Sequence, residues 1–146
     1  MPSNVGTDIV PVTRIAALIS HRGNAFLERW FTASEIAYCC SKAVPSRHFA
    51  GRFAAKEAVA KALPISLDGP LPWRFIEIIN DQCGAPSVSL SGALHDAAVK
   101  AGVGEITVSL SHCDEYAIAF ALVGFRGQQG DQRAAVSRTE GATNGP

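Results

Sequence analysis

The sequence has few charged side chains and no excess of either sign. Of its 146 residues, 18% are charged, and 13 basic side chains balance 13 acidic ones. This balance argues against a protein that acts through bulk electrostatic attraction to nucleic acid or to an anionic membrane surface. A low surface charge also suits a chain that buries part of its surface in an oligomer.

Long hydrophobic runs are absent as well. No apolar stretch approaches the roughly 18 residues of a membrane span, and the N-terminus has neither the basic region nor the apolar segment of a secretion signal. We therefore expect a cytoplasmic protein. The apolar residues, 47% of the chain, are enough to form the core of one compact domain.

Cysteine and histidine are scarce and scattered. The cysteines are Cys39, Cys40, Cys83 and Cys113, and the histidines are His21, His48, His95 and His112. None of their spacings matches a CxxC or HxxxH metal pattern, and a chain without a secretion signal is not expected to form disulfides. The sequence also lacks a P-loop, a GxSxG elbow and a GxGxxG fingerprint, so kinase, hydrolase and dinucleotide-binding functions have no support.

Hydrophobic periodicity and turn signals predict four helices and five strands. Strands are predicted at residues 5–10, 75–80, 87–90, 105–111 and 116–123, and helices at 12–22, 32–43, 46–63 and 92–101. The second helix is predicted to begin at Thr32, because Thr32-Ala-Ser-Glu35 is a capping box. This order has no regular βαβ alternation, so it indicates an α+β fold with a mainly antiparallel sheet packed against one long helix.

The C-terminal segment differs in composition from the rest of the chain. Residues 126–146 consist mostly of Gly, Gln, Ser, Thr and Ala, with little apolar surface to bury. We therefore predict one domain at residues 1–125, followed by a flexible tail at residues 126–146.

The long helix predicted at 46–63 carries two cations on its apolar side. At 100° per residue, its predicted core stripe lies in one narrow sector and consists of Phe49, Phe53, Ala60 and Leu63. Lys56 lies in the middle of this stripe and Arg52 at its edge, one turn earlier. Two cations at this spacing repel each other, and partial desolvation adds to the cost. Either both side chains extend along the stripe to reach water, or a bound anion lies between them.

Two acidic residues are candidates for chemistry. Glu57, four residues before Lys61, could form an ordinary surface salt bridge or part of a site for a metal and a polyphosphate. Asp8 is unusual in a strand and could either cap the next helix or bind a metal. Mg²⁺ usually takes one or two carboxylates, with water and phosphate as its other ligands. Asp8 and Glu57 would form such a pair if the fold brings them together.

Ser109-Leu-Ser-His112 lies at the end of a predicted strand. A histidine at a strand end is more often structural than functional. The alternative is that Ser111 and His112 contact a phosphate or a ribose.

Four blocks of the sequence together resemble the holo-(acyl-carrier-protein) synthases, the short, single-domain 4′-phosphopantetheinyl transferases. In chain order they are Gly6-Thr-Asp8-Ile, Phe31-Thr32-x-x-Glu35, Gly51-Arg-Phe-Ala-Ala-Lys-Glu57-Ala-x-x-Lys61-Ala and Ser109-Leu-Ser-His112-x-x-Glu-Tyr. The resemblance covers about residues 4–124 and implies the fold of this family. The chain departs from the family pattern at residues 64–69, where a Gly-Thr-Gly-type loop is more usual.

The resemblance implies a reaction and its site. The phosphopantetheine arm of the co-substrate coenzyme A would move to a serine of an apo acyl carrier protein, releasing 3′,5′-ADP, with Mg²⁺ as the cofactor and Mn²⁺ as its alternative. Asp8 and Glu57 would hold the metal, and Lys61 would contact the phosphates. Arg52 and His112 would contact coenzyme A near its 3′-phosphate and adenosine. Either Glu57 or a metal-bound water could take the serine proton.

Further expectations concern partners. The residue pattern adds Lys56 and Ser111 as candidate contacts to coenzyme A. The family typically forms homotrimers with sites between subunits, and it docks the acidic carrier protein on basic residues of the first helix. Here Arg14 matches, and Arg22 is a second candidate. A relative that binds coenzyme A or a carrier protein without transfer is the alternative function, and the sequence leaves open which carrier pathway is served.

Overall fold

The computed structural model describes residues 3–66 and 69–127. In these ranges the helices are α1 (Val12–Arg22), α2 (Asn24–Trp30), α3 (Ala33–Cys40), α4 (Pro45–Ala62) and α5 (Gly92–Lys100). The strands are β1 (Ser3–Pro11), β2 (Ile76–Asn80), β3 (Pro86–Leu90), β4 (Val103–His112) and β5 (Tyr116–Phe125). The predicted α+β architecture is confirmed, and both sheets are antiparallel.

A three-stranded sheet in the order β1-β5-β4 forms one layer of the molecule. Along the central strand β5, buried and exposed side chains alternate. The residues that face α4 are small, and Ala117, Ala119, Ala121 and Val123 are buried. On β1, a Cβ added at Gly6 would lie 1.9 Å from the carbonyl oxygen of Ala58. Glycine is therefore required at this position, because it lets β1 approach the backbone of α4 closely.

Helix α4 forms the centre of the core. Eleven of its 18 residues are buried, which is more than the one narrow stripe that the sequence predicted. The reason is that the helix packs against β1, β4 and β5 on one side and against α1, α3 and β2 on the other. Its many alanines fit both interfaces but give no periodic signal. Of the predicted stripe, Phe49, Phe53 and Leu63 are buried, and Ala60 is half-buried.

Helix α2 was not predicted. It has only seven residues, too few for a clear hydrophobic period, and Gly23 with φ of 52° turns the chain between α1 and α2. The predicted capping box is confirmed, since the Thr32 hydroxyl accepts from the Glu35 N–H and the Thr32 N–H donates to Glu35. Helix α3 ends at Cys40, earlier than predicted, and a 3₁₀ turn at Trp73–Phe75 precedes β2.

The outer face of the three-stranded sheet is apolar and exposed. Val5 pairs with Leu122 across β1 and β5, and Ile9 pairs with Ile118. These four side chains and Phe120 are between 37% and 66% exposed. Contiguous exposed apolar side chains of this kind mark an interaction surface.

Two other expectations concern membrane-spanning helices and the C-terminal tail. Within the described ranges, no helix is long and apolar enough to cross a membrane. The predicted tail at 126–146 lies outside the described residues, except for its first two positions.

Candidate active site

The close approach of β1 to α4 brings Asp8 beside the second half of that helix. The Lys61 ammonium donates to Asp8 Oδ1 at 2.8 Å and to the carbonyl oxygen of Thr7 at 3.0 Å. Among the described residues no side-chain hydrogen bond caps the N-terminus of α1. The Asp8 carboxylate accepts from Lys61 instead, so it does not act as the helix cap that the sequence left open. Lys61 bonds to Asp8 rather than to Glu57, so the alternative of a Glu57–Lys61 surface salt bridge is not realised.

Glu57 lies next to this pair. Burial raises the pKa of the Glu57 carboxyl, the negative charge of Asp8 raises it further, and Lys61 and Arg14 oppose both effects. Two carboxylates, from a strand and from a helix, therefore share one half-buried place.

The donor set at this place fits Mg²⁺. The protein offers two carboxylates, which is the usual protein contribution to a site completed by water and phosphate oxygens. Burial is the main cause of the raised pKa of Glu57 and repulsion by Asp8 adds to it; a bound dication would offset both. Among the described residues there is no cluster of three or more His, Cys, Asp and Glu side chains, so substrate or water would have to supply the other ligands.

The surroundings of Lys56 were not anticipated from the sequence. Its side chain is fully buried and its ammonium lies 2.7 Å from Glu35 Oε2, so it does not extend to water, and the anion beside it is a carboxylate of the protein itself. Burial lowers the pKa of Lys56, and the adjacent Glu35 carboxylate partly restores it. The ammonium also donates to the carbonyl oxygen of Trp73 at 3.2 Å. Because these interior partners surround the ammonium, we do not carry Lys56 forward as a coenzyme A contact.

Glu35 is the acceptor that the sequence analysis missed in this role. Besides Lys56, its carboxylate accepts from the N–H of Ile78 at 3.0 Å and of Thr32 at 2.8 Å. The Thr32 hydroxyl in turn donates to Glu77 at 2.7 Å. The network ties α3, α4 and β2 together in the core. Its one advance signal was the capping box, which places Glu35 at the start of α3 but does not show that it faces a lysine.

Arg52 is also buried, and it has separate partners from Lys56. Its Nη2 donates to Asn80 Oδ1 at 2.6 Å, and its guanidinium lies 3.9 Å from the centre of the Tyr38 ring. Its Nε is buried without a partner among the described residues. Of the two alternatives left open for Arg52, extension to water is not realised, because Tyr38 and Asn80 enclose the guanidinium.

Further cations gather around Arg52 at the first half of α4. The rings of His48 and His112 lie 4.9 Å apart. Burial lowers the pKa of His48, and nearby cationic groups lower it further: His112, Lys42, Arg52 and Arg47. His112 and the adjacent Ser111 are exposed at the end of β4. The sequence analysis did not select His48, because its proximity to His112 arises only when α4 packs on β4.

A cavity of about 550 Å³ lies between α1 and α2. Three arginines line it, Arg14, Arg22 and Arg29, together with apolar side chains that include Leu18, Phe26, Trp30 and Phe53. Arg14 and Arg22 were predicted, whereas Arg29 was missed because α2 was not recognised. The positive charge of Arg14 also lowers the pKa of Glu57 slightly, against the effect of burial, so the cavity and the two carboxylates are electrostatically coupled.

Comparisons with known proteins agree on one family. Residues 4–121 match the model of the 4′-phosphopantetheinyl transferase superfamily. A holo-[acyl-carrier-protein] synthase of Moorella thermoacetica is 49% identical over 118 residues, 81% of this chain and 91% of the relative. One of Protochlamydia amoebophila is 43% identical over 122 residues, 84% of this chain and 98% of the relative.

A solved structure gives the same result. The crystal structure of Helicobacter pylori holo-[acyl-carrier-protein] synthase, in complex with coenzyme A, has a TM-score of 0.72 and 33% identity to this chain. The match covers 82% of this chain and 99% of that one.

Proposed function

The chain belongs to the 4′-phosphopantetheinyl transferase superfamily, among the holo-[acyl-carrier-protein] synthases, and we propose that it is a Mg²⁺-dependent transferase acting on coenzyme A. The phosphopantetheine arm moves to the hydroxyl of a serine on an apo acyl carrier protein. The serine oxygen bonds to the phosphorus that carries pantetheine, the bond from that phosphorus to the bridging oxygen breaks, and 3′,5′-ADP leaves.

The observation that carries this proposal is the grouping of Asp8, Glu57 and Lys61. Phosphoryl transfer depends on positioning and on neutralising charge more than on covalent chemistry by the protein. The half-exposed Lys61 ammonium, held by Asp8 at 2.8 Å, can turn toward a phosphate that arrives beside it. Lys61 then stabilises the charge that develops on the pyrophosphate.

The proton of the attacking serine needs an acceptor. A carboxylate within reach of the serine hydroxyl can act as a general base, and Glu57 is half-buried beside Asp8. Glu57 is therefore our candidate acceptor for the serine proton.

Mg²⁺, when held by Asp8 and Glu57, would supply positive charge to the pyrophosphate and help the 3′,5′-ADP leaving group to depart. Asp8 and Glu57 fit this ion in donor type and number, as described above. Mn²⁺, which also prefers oxygen ligands, is the expected substitute.

The nucleotide end of coenzyme A fits the cationic first half of α4. There Arg52, His48 and His112 lie together, with the exposed Ser111 at the same strand end. Nine residues of helix, about 13 Å at 1.5 Å per residue, separate His48 from Glu57. This separation suggests that the nucleotide site of one subunit serves the carboxylates of another.

In a homotrimer, neighbouring subunits would bury the exposed sheet face. The apolar outer face of β1 and β5, with Val5, Ile9, Phe120 and Leu122 exposed, would be covered by the same face of neighbouring copies. The family resemblance supports three copies, with sites at the subunit boundaries. Sedimentation equilibrium tests this number directly.

The carrier protein docks, in this proposal, at the three-arginine cavity. Arg14, Arg22 and Arg29 suit an acidic helix, and Leu18 and Phe26 suit its apolar side chains. The electrostatic effect of Arg14 on Glu57 supports a docking site on the same side of the molecule as the proposed proton acceptor.

Mass spectrometry of an apo acyl carrier protein, incubated with the enzyme, coenzyme A and Mg²⁺, tests the function. We expect the carrier to gain one phosphopantetheine group and 3′,5′-ADP to appear in equal amount. Adding EDTA should stop the reaction, and Mg²⁺ or Mn²⁺ should restore it. Binding of coenzyme A and carrier without any mass gain would instead identify a non-catalytic relative.

A further inference from the structure

The buried ammonium of Lys56 has a contact that the reaction does not require. Besides its ion pair with Glu35, it donates to the carbonyl oxygen of Trp73 at 3.2 Å. This hydrogen bond links the interior of α4 to the 3₁₀ turn at Trp73–Phe75. Because both Lys56 and Glu35 are buried, with 0% and 1% of their side chains exposed, the donor cannot move without breaking a buried ion pair. The position of the Trp73 backbone is therefore fixed from the interior.

Trp73 belongs to a stack of three aromatic rings. Its indole stacks on Trp30 with ring centres 4.1 Å apart and planes inclined by 18°. Trp30 also lies against Phe53, with ring centres 4.2 Å apart. The stack joins the end of α2, the middle of α4 and the 3₁₀ turn. Trp30 and Phe53 line the three-arginine cavity together with Phe26, so the stack contributes two rings to the aromatic wall of the cavity, and Trp73 packs on one of them.

The same helix therefore carries the wall and its support. Phe53 presents its ring to the cavity, and Lys56, three residues later, reaches through the interior to hold Trp73. Large rigid aromatic rings supply contact area with few torsions to freeze, and rings of this kind dominate many interfaces. Such a surface works only while its rings stay in place. The Lys56–Trp73 bond supplies that restraint.

We propose that Lys56 is a positioning residue for recognition of the carrier protein. By holding the carbonyl of Trp73 it fixes the Trp73–Trp30–Phe53 stack, and through the stack it fixes the aromatic wall of the three-arginine cavity. This inference rests on the proposed function of that cavity. It assigns Lys56 a role in carrier affinity, distinct from coenzyme A binding and from the chemical step.

The test compares two variants that differ only at Lys56. Lys56→Met alone would leave Glu35 buried without a countercharge, so the test variant is Lys56→Met combined with Glu35→Gln. The control is Glu35→Gln alone, in which Lys56 can still donate to Trp73 as a neutral amine, because burial lowers its pKa. Glutamine has one acceptor oxygen where glutamate has two, so one of the Ile78 and Thr32 N–H groups loses its partner, equally in the test variant and in the control.

Circular dichroism detects the stacking of Trp30 on Trp73 directly. The sequence contains two tryptophans, Trp30 and Trp73, and their close stacking should give an exciton couplet. We expect the couplet in the wild type and in Glu35→Gln, and its loss in the double variant, with Trp73→Phe as the reference for complete loss. A couplet retained in the double variant would overturn the proposal.

Binding and kinetics test the consequence. We expect the double variant to bind the apo carrier about fivefold or more weakly in a direct titration, and its KM for the carrier to rise alike. Its KM for coenzyme A and its kcat at saturating carrier should stay within about twofold of the control. A lost couplet with unchanged carrier binding, or an equal loss in coenzyme A binding and kcat, would overturn the assigned role. A wild type that binds the carrier without transferring would refute the proposed function and leave this inference standing.

Discussion

Helix α4 carries two lysine–carboxylate pairs of almost equal length in opposite surroundings. Lys56 lies 2.7 Å from Glu35, and the two side chains are 0% and 1% exposed. Lys61, five residues later, lies 2.8 Å from Asp8, and these side chains are 52% and 17% exposed. The first pair is enclosed by α3, β2 and the 3₁₀ turn, whereas the second opens to solvent at the edge of β1.

The difference shows how burial decides what a lysine can do. A buried ion pair cannot exchange partners, because each separated charge would remain in a poorly solvated interior. An exposed pair is held weakly and can reorganise at little cost. Lys61 is therefore free to leave Asp8 for a substrate phosphate, whereas Lys56 is confined to a structural task.

Breaking the buried pair should have the largest effect on stability. We expect Lys56→Met to lower the free energy of unfolding by about 3–5 kcal/mol, because Glu35 is left charged and unpaired in the core. Lys61→Met should cost only about 0–1 kcal/mol. Urea denaturation of both variants measures these values. Equal losses would show that the two pairs are not as different as their burial indicates.

Changes at the solvent-exposed end of α4, where Glu57 lies beside the Lys61–Asp8 pair, should instead abolish activity. We expect Glu57→Gln to reduce transfer by at least about 10²-fold, because it removes a metal charge and a proton acceptor. Asp8→Asn should behave alike, with partial rescue by excess Mg²⁺ or Mn²⁺. Glu57→Gln should not lose stability, because burial and Asp8 already oppose the charge of Glu57 in the folded state. Near-normal turnover of a folded Glu57→Gln protein at saturating Mg²⁺ would falsify its assignment to the site.

The three-arginine cavity should control affinity for the carrier. We expect Arg14→Glu to raise the KM for the carrier about tenfold or more, because close charge pairs at interfaces couple strongly, and the wild-type KM should rise with salt. Arg22→Glu is a second test of the same docking surface, because Arg22 lines the cavity but is not among the groups that shift the pKa of Glu57, and we expect it to raise the KM for the carrier as well. An unchanged KM for both variants at low salt would remove the cavity from the docking surface.

The smallest effect should be a pH dependence at the other end of α4. Because burial and nearby cations lower the pKa of His48 below 6.5, its neutral form is favoured in the folded protein. Stability should therefore fall as the pH drops from 6.5 toward the lowered value. A bound phosphate would offset the cations, so coenzyme A binding should take up protons in that window. Calorimetry in buffers of different ionisation enthalpy measures this uptake, and His48→Gln should diminish it. Equal uptake by the variant would assign the protons to another group.

Much of this arrangement could be predicted from the sequence, because its signals are local. Periodicity and the Thr32 capping box placed most elements, and the resemblance named Asp8 and Glu57, which the fold does bring together. The role of Lys56 could not be predicted. A helical wheel shows that Lys56 faces inward, but the partner it meets depends on how α3 packs. Arg29 was missed because a helix of seven residues is too short to show a hydrophobic period.

Asp8, Glu57 and Lys61, at the solvent-exposed end of α4, are expected to perform the chemistry, and Lys61→Met tests this most directly. The measurement is the single-turnover rate of phosphopantetheine transfer to the carrier, with coenzyme A and Mg²⁺ saturating, beside the urea midpoint of the same preparation. We expect the rate to fall about tenfold or more, because a charge that stabilises the transition state is lost, while the midpoint stays close to that of the wild type. A wild-type rate in the folded variant would contradict the account.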